Sequence, residues 1–234
     1  MNKRLVVLLL ISSAVFISGV FVGPEFINPF SLSDVDKTVL VHIRLPRVIV
    51  SVLMGAALGS SGAVLQGFLR NPLADPYILG LSGGAALLAI VAILLGSVKF
   101  GLFTIPLFAF CGAILTGLLV GFMAYKRGGL WPERLLLAGV GLGFLFSATL
   151  MLLLSLSSDE GLRRSIHWMF GDLSMADWSL IPYAVVVIFV GLFMALWRAK
   201  ALNALILGDE IAFSLGFAPV KERAILFVAV CLMT

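Results

Sequence analysis

Seven apolar runs, most of them near the length that crosses a lipid bilayer and almost empty of ionisable side chains, constrain this chain more than any other feature. They cover about 5–22, 48–69, 81–97, 102–125, 135–156, 180–197 and 224–234. A bilayer core is spanned by roughly 20 apolar residues in helical form. The runs are continuously apolar and do not alternate, so they read as helices and not as strands of a barrel. Composition agrees: 61% of the 234 residues are hydrophobic, only 12% are charged, and the mean hydropathy is +1.15. A soluble domain needs more charge than that to cover its surface. The expected fold class is therefore all-α, a polytopic transmembrane helical bundle. The first run follows Lys3 and Arg4 as a signal peptide would. It is long, and no small-residue cleavage site closes it, so it reads as a retained helix.

Loop charges orient the bundle. With the N-terminus in the cytoplasm, ten basic residues fall inside, from Lys3 and Arg4 to Lys221 and Arg223, against six outside, among them Arg44, Arg47, Arg163 and Arg164. This is a positive-inside bias. Acidic residues lean the other way, seven outside (including Glu25, Asp159 and Asp172) and five inside. The net charge of +4 is thus topology and no sign of nucleic-acid binding, since no basic face exists to track phosphates. Cys111 and Cys231 lie within apolar runs, where a thiol acts as a small apolar group. His42 and His167 sit in separate loops without a second ligand at metal spacing, so no metal site is expected. The runs hold no nucleophile with a base beside it and no carboxylate pair, and the chain is read as no enzyme. Their lack of ionisable groups also argues against a proton relay or ion-coupled carrier.

Residues 44–86 are the densest in local information. Gly55, Gly59, Gly62 and Gly67 share one span, where small residues let another helix approach closely. Arg44 and Arg47 stand at its start, and an Asn71-Pro72 and Asp75-Pro76 turn follows its end. Gly117 and Gly121 repeat the GxxxG spacing of Gly55 and Gly59. Gly139, Gly141 and Gly143 imitate part of a dinucleotide fingerprint, but no strand precedes them, and helix packing is the better reading.

Taken together, Arg44-Leu45-Pro46-Arg47, Gly55-Ala56-Ala57-Leu58, Ser61-Gly62-Ala63, Leu65-Gln66-Gly67, Asn71-Pro72-Leu73-Ala74-Asp75-Pro76, Leu79-Gly80 and Ser82-x-Gly84-Ala85 resemble the signature of the FecCD-type permeases. These are the membrane subunits of binding-protein-dependent ABC importers for ferric siderophores, haem and cobalamin. Residues 135–139, 168–174 and 202–216 agree with the same family, in order, along nearly the whole chain.

The resemblance implies about ten spans of bilayer length in a longer chain. The seventh run ends at Thr234 after about eleven helical residues, a rise of about 16 Å against a core about 30 Å thick. The expectation is one permease domain over 1–234, incomplete at its C-terminus, with a cytoplasmic coupling loop at 198–222. In that loop Gly208 and Gly216 are expected to break two short helices, with Leu202, Leu205, Ile206 and Leu215 as an apolar ridge. Asp209 and Glu210 stand at a helix start, where carboxylates are favourable, and are expected to meet basic residues of an ATPase. Asn203, Leu205, Gly208, Asp209, Glu210, Leu215 and Gly216 are the coupling residues so implied; on the residues alone the segment reads as a capped surface loop.

Arginines flanking a span commonly anchor it at the interface; by resemblance, Arg44 and Arg47 instead dock acidic residues of a binding protein. Trp168 and Trp178 suit an aromatic belt, whereas the resemblance makes Arg163, Arg164, Trp168 and Gly171 part of an outer gate. Gly139, Gly143, Ser147 and Met151 are expected on the translocation path, where small residues leave room for a bulky chelate but serve packing equally well. The implied partners are a second permease copy (homodimer or paralogue), a cytoplasmic ABC ATPase holding ATP-Mg, a periplasmic or lipid-anchored substrate-binding protein, and the bacterial inner membrane. This subunit itself is expected to bind no cofactor. A non-transporting membrane scaffold, or a fragment of a split permease gene, is the alternative. Siderophore, haem and cobalamin permeases share these motifs, so the substrate stays open.

Overall fold

The computed structural model describes residues 3–23, 27, 32–126, 129–171 and 173–234. Glu25, Arg127 and Asp172, three of the charges used to orient the chain, lie outside the described residues. The rest is almost wholly helical, as expected, and groups into two compact units: residues 1–54 with 173–185, and residues 55–172 with 186–234.

The first unit begins with α1 (Lys3–Phe21). A reciprocal cap opens α2 (Asp34–Val39): the Asp36 amide donates to the Ser33 hydroxyl at 3.1 Å, and the Ser33 amide to the Asp36 carboxylate at 2.9 Å. The helix widens into a π-turn at Leu40–Arg44 before continuing as α3 (Leu45–Leu69). Pro46, fully buried, has a local effect on this turn. In the π-register Leu45 donates to the Leu40 carbonyl, so the next carbonyl, Val41, would need an N–H from residue 46, which proline lacks. Trp178 supplies it, its indole N–H donating to the Val41 carbonyl at 2.9 Å. That tryptophan is thus a hydrogen-bond donor to a carbonyl orphaned by proline, a narrower task than sitting in a belt. Val20, Ile27 and Leu40 form a small apolar cluster with Phe21, Val39, Leu45 and Val48.

The second unit contains the C-terminal part of α3, then α4 (Leu81–Leu94), α5 (Thr104–Ala124), α6 (Pro132–Ser155), α7 (Asp159–Met169), the end of α8 (Ile181–Trp197), α9 (Ala199–Leu207), α10 (Asp209–Ser214) and α11 (Pro219–Met233). A two-residue hairpin, β1 (Tyr125–Lys126) with β2 (Gly129–Leu130), joins α5 to α6 in antiparallel register. Its core is built around Leu65, Phe68, Leu79, Leu81, Val120, Leu135, Leu205, Leu226 and Val230. Between α3 and α4 the two X-Pro steps form consecutive side-chain-capped turns. Asn71 Oδ1 accepts from the Leu73 amide at 2.9 Å, and Asp75 Oδ1 accepts from those of Tyr77 and Ile78 at 2.7 and 3.2 Å.

Glycine sets the closest approaches. On α4 and α5, Gly84 and Gly112 oppose each other so tightly that a Cβ at Gly112 would lie 2.3 Å from the Gly84 carbonyl oxygen. Gly117 and Gly121 of α5 face Cys231 and Phe227 of α11, as helix packing requires.

Against the seven spans expected, four helices among the described residues are long and apolar enough to cross a membrane: α1, the continuous helix from Asp34 to Leu69, α5 and α6. A fifth arises if α8 and α9, bent by 55° from each other, count as one span. The third and seventh runs form α4 and α11, of 14 and 15 residues, about 21 and 23 Å at 1.5 Å per residue.

Candidate functional site

One end of the second unit gathers five charges in a chain that has few: Arg70, Arg198, Asp209, Glu222 and Arg223. Backbone geometry makes the gathering possible. α9 stops at Gly208, whose φ of 132° and ψ of 156° suit glycine and little else, and the chain re-enters a helix at once with Asp209 and Glu210 in the first turn. Carboxylates there face the positive end of the α10 dipole. α10 then closes with Gly216 at φ 86°, its amide donating to the Phe213 carbonyl and that of Phe217 to the Ala212 carbonyl, a glycine-terminated C-cap. The two short helices broken at Gly208 and Gly216 are therefore present as expected.

Their chemistry differs from expectation in one respect. Asp209 does not wait for a basic partner on another subunit: Oδ1 accepts from the Arg70 guanidinium and, at 2.5 Å, from that of Arg223. Arg70 also donates from Nε to the Leu205 carbonyl at 2.7 Å, so one guanidinium spans the last turn of α9 and the first of α10. Alongside, Arg198 lies over the Trp197 ring at 4.4 Å and reaches Glu222 at 3.3 Å. Glu222 and Arg223 are buried, and Glu222 Oε2, Arg198 Nε and Arg223 Nε have no hydrogen-bond partner among the described residues. These buried groups make the cluster costly to disrupt.

The apolar ridge is also redrawn. Leu205 is fully buried and Leu202 packs against the core, beside Gly67. The exposed apolar residues are instead Ile206, Leu207, Ile211, Phe213 and Leu215, next to exposed Asn203 and Glu210. The expected ridge put Leu205 outward, whereas which side of α9 is covered depends on contacts distant in sequence. Sequence reasoning missed Arg70 and Arg223 as members of the site. A signal existed: Arg70 follows the last residue of α3, the position where glycine or asparagine ends a helix, and Glu222-Arg223 is an adjacent charge pair entering an apolar run.

The other expected residues fall as follows. In the first unit, Arg44 turns back onto α1, donating to the carbonyls of Phe21 at 2.9 Å and Val20 at 3.3 Å. It thereby caps that helix's negative end. Arg47 is half-buried, with Nε buried and unpartnered among the described residues. In the second unit, α7 starts from Ser158, whose hydroxyl accepts from the Gly161 amide, and carries an Arg164–Glu160 ion pair one turn apart. Arg163 and Arg164 are exposed, Trp168 is half-buried, Ser165 is fully buried, and Gly171 follows the helix with φ 82°. A cleft of about 420 Å³ beside it is lined by Leu94, Leu153, Leu156, Ser158, Glu160 and Arg164. On α6, Ser147 and Met151 are exposed and Gly143 half-exposed, whereas Gly139 is buried with its Cβ position 2.5 Å from the Ile78 carbonyl oxygen. Gly139 is therefore a packing residue, with no room beside it for a path. Of the four packing glycines on α3, Gly67 meets Leu202 and Ile206 closely, and Gly62 meets Pro76 at ordinary distance. A Cβ at Gly55 or Gly59 would touch nothing within 4 Å among the described residues.

Residues 5–234 match the model of the FecCD transport family. The chain is 35% identical to the iron(3+)-hydroxamate import system permease protein FhuG of Bacillus subtilis, over 97% of this chain and 73% of that protein. It is 35% identical to the cobalamin import system permease protein BtuC of Halobacterium salinarum, over 88% of this chain and 55% of that one. Among solved structures, a transporter described as of the metal-chelate ABC type, in an inward-facing conformation, superposes with a TM-score of 0.86 at 28% identity. The superposition covers 99% of this chain and 73% of that one. The chain thus spans about half to three quarters of the length of these relatives.

Proposed function

The chain belongs to the FecCD transport family, and on that premise we propose that it is the membrane-spanning permease subunit of an ABC importer for an iron chelate or a cobalamin. The observation that carries this reading is the α9–Gly208–α10 element. It presents Leu207, Ile211, Phe213 and Leu215 beside Glu210 at one end of a helical unit, while its other face is tied down by buried and charged contacts. An exposed apolar and acidic knob on an anchored base suits a surface that a partner covers and pushes. That partner, in this reading, is a cytoplasmic ATPase, which supplies the energy that the nearly charge-free spans cannot.

The rest follows the same logic. ATP binding moves the knob, and α8, α9 and α11 carry the motion into the bundle. The opening of a path between two permease copies then changes sides. The exposed glycine face at Gly55 and Gly59, and the exposed Ser147 and Met151, are the surfaces offered to the second copy and the path. Arg47 offers a cation to an acidic binding protein outside, where charge pairing favours fast docking and release, and the segment with Arg163, Arg164, Trp168 and Gly171 serves as an outer gate.

The test is reconstitution of the chain with its cognate ATPase and binding protein in proteoliposomes, following ATP-dependent uptake of a ferric hydroxamate and of cobalamin. Uptake of one of them is expected. In the Phe213→Ala/Glu210→Lys double variant, capture of the ATPase should fall by about thirtyfold, the scale of a lost interface hot spot. ATP hydrolysis without uptake of either ligand, or ATPase capture unaffected by the double variant, would sink the reading.

A further inference from the structure

We propose that Arg70 is a positioning residue that braces the joint at Gly208, so that movement of α9 and α10 is delivered to α3 and not lost by bending between them; this rests on the permease reading above. Three observations carry it. The first is backbone conformation. Arg70 has φ 50° and is the only described residue other than glycine with a positive φ. Its amide donates to the Gly67 carbonyl and that of Asn71 to the Gln66 carbonyl, the C-cap pattern in which the left-handed residue is normally glycine. The same pattern closes α10, and there the residue is Gly216. An arginine held at a glycine position keeps a strained backbone for the sake of its side chain.

The second is what that side chain reaches. Nε holds the Leu205 carbonyl on α9, and a terminal nitrogen holds the Asp209 carboxylate on α10. One planar guanidinium therefore straddles Gly208, where a Cβ would meet nothing within 4 Å among the described residues. The joint is not wedged by packing against Gly208 itself; the arginine spans it. Arg223 of α11 meets the same carboxylate oxygen, so three helices converge on one atom. The third is exposure. The Arg70 and Asp209 side chains are 39% and 41% exposed, and a pair that open adds little to folding stability. Geometry is then the better account of the strained arginine.

Arg70→Gly separates the two accounts, since it relieves the backbone while removing the brace. In the reconstituted complex, its melting temperature should stay within about 4 °C of the parent, since the Arg70–Asp209 pair is open to solvent. Amide hydrogen exchange across 199–215 should quicken by about tenfold, and substrate carried per ATP hydrolysed should drop by about tenfold. Arg70→Lys, a point charge that cannot hold both acceptors, should recover only part of each effect. Unchanged exchange across 199–215 would overturn the brace, as would a normal uptake-to-hydrolysis ratio or a lowered melting temperature with the ratio intact. Exchange is read without transport, so a parent complex that hydrolyses ATP but imports nothing would refute the permease reading separately.

Discussion

The approach of Gly112 on α5 to the backbone of Gly84 on α4 makes Gly112→Ala a severe test of the packing. The added methyl would sit 2.3 Å from the Gly84 carbonyl oxygen, 2.9 Å from its carbon and 3.1 Å from the Ala85 Cα. All three atoms are backbone, so no rotamer change relieves the clash, and the helices must separate by roughly 1 Å, enough to forfeit a quarter to a half of each dispersion contact along the seam. Overpacking a filled interior costs about 1–3 kcal/mol, and the lack of a movable neighbour puts this substitution near 3 kcal/mol. For a chain of this size that is a fall in melting temperature of about 6–12 °C. Gly141→Ala is the matched control. It is helical and exposed and would touch nothing within 4 Å among the described residues, so it should be neutral or stabilise by up to about 1 kcal/mol. Both are read by thermal unfolding of the purified protein in detergent, followed by circular dichroism. A Gly112→Ala melting temperature within about 2 °C of the parent, or an equal loss in Gly141→Ala, would refute the seam.

Two more outcomes follow from unsatisfied groups. Trp178→Phe keeps the ring but removes the donor to the Val41 carbonyl. Because that bond is exposed and water substitutes in part, the cost should be about 1 kcal/mol, with faster amide exchange confined to 40–45; unchanged protection there would show that the carbonyl does not need the tryptophan. Arg198→Leu strips Glu222, itself buried, of its ion-pair partner among the described residues and should destabilise by about 3–5 kcal/mol, while Arg198→Leu/Glu222→Leu should return to within about 1 kcal/mol of the parent. A double variant no more stable than the single one would show that the pair is not what holds this end together.

Most of the fold was legible because it is written in local terms. Apolar runs too long and too uncharged for anything but helices became α1, α3, α5, α6 and α8 within a few residues of expectation. The Asn71-Pro72 and Asp75-Pro76 steps became capped turns, and Gly208 and Gly216 broke the chain where they stand. Capping, proline's missing N–H and glycine's freedom act over a few residues, so a linear reading captures them.

The candidate site was only half legible. The two short helices broken at Gly208 and Gly216 were readable and Glu210 and Leu215 are exposed, but Asp209, Leu205 and Gly139 each make contacts inside the chain that a linear reading did not give. Chain chemistry by itself determined that this protein is a bundle of membrane-length helices with a glycine-broken, acidic segment near residue 209. Only tertiary structure decided that Asp209 is held by Arg70, 139 positions away, and that Leu205 faces inward. The physical reason is range: a helix carries its own hydrogen-bond rule in sequence, whereas the partner of a charge or the covered side of a short helix is chosen by whatever distant segment packs there.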